Sequence, residues 1–524
     1  MRIVTSRQMR FIDRRAIDSG VPAAALMARA GAQVTRVIVE QCGPVAGARV
    51  AVLAGRGGNG GDAAVVARLL QDLGSQIVLC RVGRQDGASP EAAAMFADAE
   101  RAAVDVIRVT TESEWTASRD RVATADLVVD GLCGTGLDRP LDGLMARVVA
   151  DLNASKRPVV SIDVPSGLRD LPSASDAVVA ARLTVALGAL KESLLTPIGG
   201  EHAGRLFVAD IGLPPEAIDA EPAPVVRLAT APVVRAWLPA RGPHAHKGTC
   251  GHVVVVAGSV GKTGAAHLAA LGALRSGAGL VTVATPSSCL SIVASLGAEY
   301  MTAALPDDGD GRAAGGAVEV LERLPGVEAW VVGPGLGTTE ATARIVAWVA
   351  QRGLPVVFDA DALPAAAPLL ERRRDARPLA VVTPHPGEMA RLLGVSTERV
   401  QARRVGTALD EARRLGAVVL LKGAFSVTAT PHGLAWVNPS GNPGMATAGT
   451  GDVLAGIVGG WLAQGLDVEA AAALGAYLHG AAGDRAARRL GEHALMARDL
   501  LDDVGPALVE LGDAAPDRSI GRVS

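Results

Sequence analysis

Apolar residues fall along this chain in short runs, separated by longer segments where apolar and polar positions mix. In the first half the runs are 49–54 (RVAVLA), 76–82 (QIVLCRV), 126–130 (DLVVD), 158–163 (PVVSID), 182–187 and 205–209. In the second half they are 252–257 (HVVVVA), 280–284 (LVTVA), 329–332, 355–359 (PVVFD), 379–383 and 417–421 (AVVLL). Short apolar runs of this kind read as strands, and the Ala-rich segments between them read as helices. Strands alternating with helices predict βαβ units, a mostly parallel sheet and a three-layer α/β architecture in each half. Helical segments around 6–42 precede the first strand. Residues 214–232 (PPEAIDAEPAPVVRLATAP) show no clear helical or strand period, and the domain boundary is placed near residue 222. The last dozen residues, 513–524, read as a flexible tail.

Composition narrows the function classes. A chain of 524 residues holds two to four domains. With 49% apolar and 20% charged residues it suits globular domains with sizeable cores. The net charge is −3, no basic arm is visible, and aromatic residues make up only 2%, which argues against a nucleic-acid partner. The N-terminus is charged and lacks the apolar core of a signal peptide. No stretch of about 20 uninterrupted apolar residues stands out, so no membrane span is expected and the location is read as cytoplasmic. The five cysteines (Cys42, Cys80, Cys133, Cys250, Cys289) show no metal-ligand spacing and read as reduced thiols. Only five of the 51 basic residues are lysine: Lys156, Lys191, Lys247, Lys262 and Lys422. In such an Arg-biased chain a lysine hints at a task for an ammonium point charge.

The first candidate chemistry is VAVLAGRGGNGGDAAVVARLLQDLG, a strand, a Gly-rich turn and a helix. Glycines let a backbone approach an anion, and the helix N-terminus supplies free N–H groups. The glycines are too densely packed for a dinucleotide GxGxxG fingerprint. Asp130 ends a strand before a second Gly loop at 134–140, and Asp163 ends the next strand with Ser166 in its turn. Each of these acids alone reads first as a helix cap or turn former. Together Asn59, Asp130 and Ser166 offer hard oxygen ligands at neighbouring strand ends, suited to an alkali or alkaline-earth cation.

GRGGNGGDAAVVAR, DGLCGTGLDRPL and IDVPSGL resemble the N-terminal NAD(P)H-hydrate epimerase family, and QMRFIDRRAIDSGVPAAALMARAG resembles its leading helices. The resemblance implies a Rossmann-like epimerase domain over 1–222. It assigns Gly58, Asn59, Gly60, Gly61 and Asp62, with Gly134, Thr135, Gly136, Leu137, Asp138, Arg139 and Pro140, to the dinucleotide hydrate. It assigns Asn59, Asp130 and Ser166 to K⁺ and sets Asp163 against the substrate. Inverting the C6 carbinol of that substrate needs proton transfer to and from oxygen, a task for Asp163 as acid/base. The chain departs from the family pattern at Gly58, Ala63 and Ala28-Arg29.

In the second half, GSVGKTGAA is not a P-loop, because Val256 stands where the first Gly is required. Lys262 then reads as a solvated loop lysine. VVTPHPGEMARLLG puts His385 and Glu388 in a turn before a helix, and VVLLKGAFSVTA puts Lys422 at a strand end. In NPSGNPGMATAGTGDVLAG (438–456) a helix is predicted to start around Asp452. Its first N–H groups could cradle a transferring phosphoryl group while Asp452 takes a proton from the attacking hydroxyl.

That GTGD pattern resembles ribokinase-like small-molecule kinases. HAHKGTCGHVVVVAGS, GPGLG, FDADAL, TPHPGE, LKGAFSV and NPSGNPGMATAGTGDVLAG together resemble the ADP-dependent NAD(P)H-hydrate dehydratases of that superfamily. The resemblance implies a ribokinase-like dehydratase domain over 223–512. It assigns Ala265, Gly335, His385 and Asp452 to the hydrate, and Lys422, Gly423, Ala424, Phe425, Ser426 and Gly451 to ADP as co-substrate, with Mg²⁺ bridging the phosphates. Pro364 stands where the family commonly has Asn. The implied partners are NADHX, NADPHX and ADP, and the Ala-rich apolar helices suit packing into a homo-oligomer. A vitamin-precursor kinase with a dinucleotide-binding N-terminal module is one rival reading, and a dinucleotide-binding module or scaffold without catalysis, for the first half only, is another.

Overall fold

The computed structural model describes residues 1–512 except 85, 87, 220–223 and 373–378. The expected tail at 513–524 lies outside the described residues. The chain divides into two compact units, Met1–Ala223 and Pro224–Ser524.

In the first unit seven strands form one fully parallel sheet. Their order is Asp105–Val109, Gln76–Val82, Arg49–Ala54, Leu127–Gly131, Val159–Ile162, Leu183–Leu187, Arg205–Ala209. Side chains alternate across the sheet, as strand geometry demands. Val50, Val52 and Ala54 enter one core with helices Ser6–Asp18, Ala23–Cys42 and Gly58–Asp72. Ala51 and Leu53 enter the opposite core with helices Glu112–Ala123 and Gly143–Ser155. Both faces are therefore covered, which explains why the strands read as continuous apolar runs. Strand order reverses between Arg49–Ala54 and Leu127–Gly131, so the two Gly-rich loops that follow these strands flank a topological switch point.

In the second unit the order is Met301–Leu305, Leu280–Pro286, His252–Val256, Ala329–Val332, Val356–Phe358, Ala380–Val382, Val418–Leu421, Val427–Ala429, Leu434–Val437, Val225–Leu228. Only the pairs on either side of Val427–Ala429 are antiparallel. Val253, Val255 and Ala257 face a core shared with helices Thr263–Arg275, Thr450–Ala463, Val468–Leu490 and Ala497–Leu511. On the opposite face Trp330 meets Trp348 of helix Glu340–Val349 edge-on at 5.5 Å. Among the described residues, no helix is long and apolar enough to cross a membrane.

Three expectations are corrected. The stretch 214–232 is not featureless: it holds helices Pro215–Asp219 and Ala231–Arg235 and strand Val225–Leu228, which pairs with Leu434–Val437. Strands Asp105–Val109 and Met301–Leu305 lack an apolar run because each lies at a sheet edge and is mostly unburied. The helix expected around Asp452 starts two residues earlier, at Thr450 after Gly449, so Asp452 is its third residue.

Candidate active sites

The first unit holds a cleft of about 1150 Å³ at the switch point. Its walls include Gly58, Asn59, Asp62, Gly134, Thr135, Gly136, Leu137, Asp138, Arg139, Pro140 and Asp163. The two loops are locked together: a methyl on Gly55 would stand 1.9 Å from the Leu132 carbonyl, and one on Gly60 would stand 1.9 Å from the Gly55 carbonyl. Gly60 and Gly61 are buried behind the wall, so they shape the turn and do not line the cleft.

Asp163 follows its strand in the left-handed region, φ 68°, a strained conformation for a non-glycine. Its Oδ1 is bonded by the Lys191 ammonium and by the Leu187 N–H at 3.1 Å. Lys191 is fully buried and donates also to the Leu187 carbonyl at 2.7 Å. Asp13 joins the cleft from helix Ser6–Asp18. Burial pushes its carboxyl up to about 6, with Lys191 opposing and Asp163 reinforcing. Burial, then Asp163 and Asp13, hold the Asp62 carboxyl well above the usual range. Asp13 and Lys191 had no assigned role in the motifs; the rarity of lysine was the one pointer to Lys191.

Beside the cleft, Asp130 is wholly buried. Its oxygens accept from Ser166 Oγ at 2.6 Å, Ser166 N–H at 2.9 Å and Ser161 Oγ at 2.8 Å. Burial still raises its carboxyl above the ordinary value, against those hydrogen bonds. Asn59 donates to the Ile162 carbonyl at 3.2 Å, while its Oδ1 is buried without a partner. A buried carboxylate without an ion pair and an amide oxygen without a hydrogen bond, both among the described residues, fit a cation that takes oxygen ligands.

Two of the departures from the family pattern lie off the cleft wall, and the third, Gly58, lies on it. Ala63 is buried, with its methyl filling the space over Gly131. Ala28 and Arg29 are exposed and lie off the cleft wall. At Gly58 a side chain would meet open space.

In the second unit Lys422 and Asp452 lie in one electrostatic cluster. Lys422 Nζ reaches Asp359 Oδ1 at 2.8 Å and Glu388 Oε2 at 3.9 Å. Asp359 is buried and accepts from Thr383 Oγ1 at 2.7 Å. Burial drives Asp452 up to about 7, reinforced by Asp359 and opposed by Lys422. Burial pulls Lys422 down, but Asp359, Glu388 and Asp452 outweigh it and hold the ammonium above its usual value. Gly451 lies next to Lys422 Nζ, at 3.4 Å from where its Cβ would be. Arg404, buried, donates to the Leu421 and Lys422 carbonyls at 3.2 and 3.1 Å and so braces the Lys422–Gly423 turn. Ser426 Oγ donates to the Gly423 carbonyl at 2.9 Å, and Phe425 holds φ 52°.

His385 caps its helix: Nδ1 accepts from the Gly387 and Glu388 N–H groups at 3.1 and 3.2 Å, while Glu388 accepts from the His385 N–H at 2.7 Å. Nδ1 is therefore the acceptor nitrogen, and Nε2, the N–H of that tautomer, lies 3.5 Å from Glu388 Oε1. Gly335 sits beside Lys262 and Ala265. Asp361 accepts from the Gly337 N–H at 2.8 Å and from Lys262 at 3.3 Å, so Lys262 is an ion-paired lysine although still exposed. Asp359, Asp361, Arg404 and His479 carried no assigned role in the motifs. Among the described residues no three His, Cys, Asp or Glu side chains form a metal-holding group. A divalent ion here would rest chiefly on phosphate oxygens.

A family model described as NAD(P)H-hydrate dehydratase matches residues 253–505, and one described as YjeF-related protein N-terminus matches residues 23–193. The chain is 42% identical over 508 residues to the bifunctional NAD(P)H-hydrate repair enzyme Nnr of Moorella thermoacetica, covering 96% of both chains. It is 36% identical over 450 residues to the protein of the same name from Escherichia coli, covering 86% of this chain and 83% of that one. Among solved structures it is similar to the ADP/ATP-dependent NAD(P)H-hydrate dehydratase of Bacillus subtilis co-crystallised with ATP and Mg²⁺. That similarity is 33% identity over 55% of this chain and 99% of that chain, with a TM-score of 0.48.

Proposed function

This chain belongs to the bifunctional NAD(P)H-hydrate repair enzymes, and from that premise we propose which of its residues carry each reaction. Residues 1–222 are the epimerase domain, with Asp163 as acid/base at C6 of the hydrate. Residues 223–512 are the dehydratase domain, with Asp452 as its base. The observation that carries the second assignment is the Asp452–Lys422–Asp359–Glu388 cluster at the N-terminus of helix Thr450–Ala463.

In the dehydratase Asp452 takes the proton of the C6 hydroxyl, whose oxygen attacks the terminal phosphorus of ADP and releases AMP. The free N–H groups of the first helical turn hold the charge that develops on the phosphoryl oxygens. Lys422 steadies the phosphates as a point charge, and its pairing with Asp359 keeps it protonated. Phosphorylation turns hydroxide, a poor leaving group, into phosphate. The N1 lone pair expels that phosphate, and loss of the C5 proton restores the dihydronicotinamide. When Mg²⁺ is bound with the nucleotide, it supplies Lewis-acid neutralisation of the phosphate oxygens. Ala265, Gly335 and His385 contact the hydrate, and Lys422–Ser426 with Gly451 contact ADP.

In the epimerase, K⁺ held by Asn59, Asp130 and Ser166 would balance the buried Asp130 charge and hold the 134–140 loop against the first. The orphaned Asn59 Oδ1 supports that site. A dehydratase selective for one C6 epimer strands the other, and an epimerase in the same chain returns it.

The test uses mixed R and S NADHX with protein, K⁺, Mg²⁺ and either ADP or ATP, following the return of dihydronicotinamide absorbance. Full recovery with ADP is expected. Recovery that stops at the S fraction would remove the epimerase role. A stable phosphorylated product would favour the kinase reading instead.

A further inference from the structure

Helix Ser6–Asp18 presents Met9, Asp13 and Ile17 to the cleft at i, i+4 and i+8. Two are apolar and the middle one is a carboxylic acid. An acid on an apolar stripe is costly to ionise unless it meets a base. Of the cations on the cleft wall, Arg56, Arg84, Arg139 and Lys191, it is Lys191 whose charge acts on Asp13, and Lys191 is already bonded to Asp163 and to the Leu187 carbonyl. Asp62, from helix Gly58–Asp72, brings a third carboxyl. Neither Asp13 nor Asp62 has an ion pair among the described residues. Asp13, Asp62 and Asp163, from three elements, thus act on the one Lys191 ammonium, while Glu91, Asp138 and Asp142 stand elsewhere on the wall.

Charge balance separates their roles. Asp163 holds the ammonium. Asp62 is almost fully enclosed, and burial holds its carboxyl well above the usual range. Asp13 is only half-buried and opens to the cleft. Burial there, with Lys191 and Asp163 pulling in opposite directions, leaves Asp13 near 6, able both to hold and to release a proton.

We infer that Asp13 is the second catalytic carboxyl of this cleft, so that epimerisation runs between two carboxyls rather than on Asp163 alone. This rests on the reading of the cleft as the epimerase site. In one direction Asp13 gives its proton to the C6 hydroxyl. The C6–O bond breaks, water leaves, and the N1 lone pair forms the N1=C6 iminium. Water then adds to the other face of C6 and yields a proton to Asp163. One proton is supplied and one is recovered, so the ring returns as the opposite epimer without oxidant or reductant. The reverse epimerisation uses the same two groups with their roles exchanged.

The experiment measures conversion of purified R NADHX to S by chromatography, in the full-length chain without ADP and above a no-enzyme blank. Asp13→Asn should lower kcat at least about 100-fold with KM changed less than about threefold. Dehydration of S NADHX with ADP, in the same preparation, should be unchanged. Asp13→Glu should restore part of the rate. The wild-type rate in the R-to-S direction should fall as pH rises through about 6, because the donor form of Asp13 is lost, and the Asn variant should lose that limb. An Asp13→Asn rate within about threefold of wild type would overturn the inference. So would a variant that raises KM and leaves kcat alone. If Asp163→Asn abolishes conversion while Asp13→Asn spares it, the epimerase reading stands and this inference falls. If the wild-type chain converts neither epimer, both fall.

Discussion

At the scale of single residues, the scarcity of lysine was informative. Lys156, Lys247 and Lys262 are exposed, whereas Lys191 and Lys422 are withdrawn into the two sites and bonded to Asp163 and Asp359. A buried ammonium needs a carboxylate partner, and no motif names which of the 54 acidic residues supplies it. Asp452 shows the cost of such placement. Its carboxyl is raised to about 7, so the folded state disfavours the ionised form. The sign follows from linkage: the penalty is full above pH 7, shrinks as pH falls and vanishes below about 4, where both states are protonated. Asp452→Asn should therefore abolish turnover yet raise Tm at pH 8 by roughly 2–4 °C, with no gain at pH 4. Thermal unfolding at the two pH values, beside a nucleotide-binding titration, checks this. Loss of nucleotide binding or a lower Tm at pH 8 would contradict it. For wild-type dehydration, kcat/KM should rise with pH through about 7 as the base form appears.

At the scale of elements, the Gly-rich stretch 438–450 takes its shape from helix Val468–Leu490. Asn438 donates to the Ala476 carbonyl at 3.0 Å, and Ser440 donates to the Tyr477 carbonyl at 2.8 Å. Asn442 donates to Asp484 at 2.9 Å, and His479 Nε2 meets the Thr450 carbonyl at 2.8 Å. Burial pulls His479 down to about 4, so it is neutral at working pH and Nε2–H is the donor. The helix can approach this closely because Gly480 has no side chain; a methyl there would fall 2.2 Å from Ser440 Oγ. Gly480→Ala should destabilise this unit by about 1–3 kcal/mol through overpacking. It should also raise KM for ADP, with epimerisation unaffected. Denaturant unfolding and ADP kinetics measure the two effects; an unchanged KM would mean the loop is positioned by other contacts. Helix and strand types were legible where apolar runs were buried on both faces. They failed at edge strands such as Asp105–Val109, whose exposed residues break the run, and in the antiparallel ribbon Val427–Val437.

At the scale of the molecule, each unit places its candidate loops at the C-terminal ends of parallel strands, and in the first unit the two Gly-rich loops flank the point where strand order reverses. In the first unit that geometry brings Asn59, Asp130 and Ser166 to adjacent strand ends. If K⁺ joins them, epimerisation should rise saturably with KCl at constant ionic strength. Asn59→Ala should abolish that response while leaving dehydration intact. Equal epimerisation rates in KCl and choline chloride would remove the cation from the mechanism. The amino-acid sequence by itself determined the α/β class, the division into two units and the Gly-rich loops at strand ends. Apolar period and Gly-rich turns are local properties, written within a few residues. Only the tertiary structure decided which carboxyl pairs with Lys191, that Asp13 enters the same cleft, and that Asp359 and Glu388 surround Lys422 beside Asp452. Those meetings join residues far apart along the chain. They depend on strand order and on burial, which no local pattern encodes.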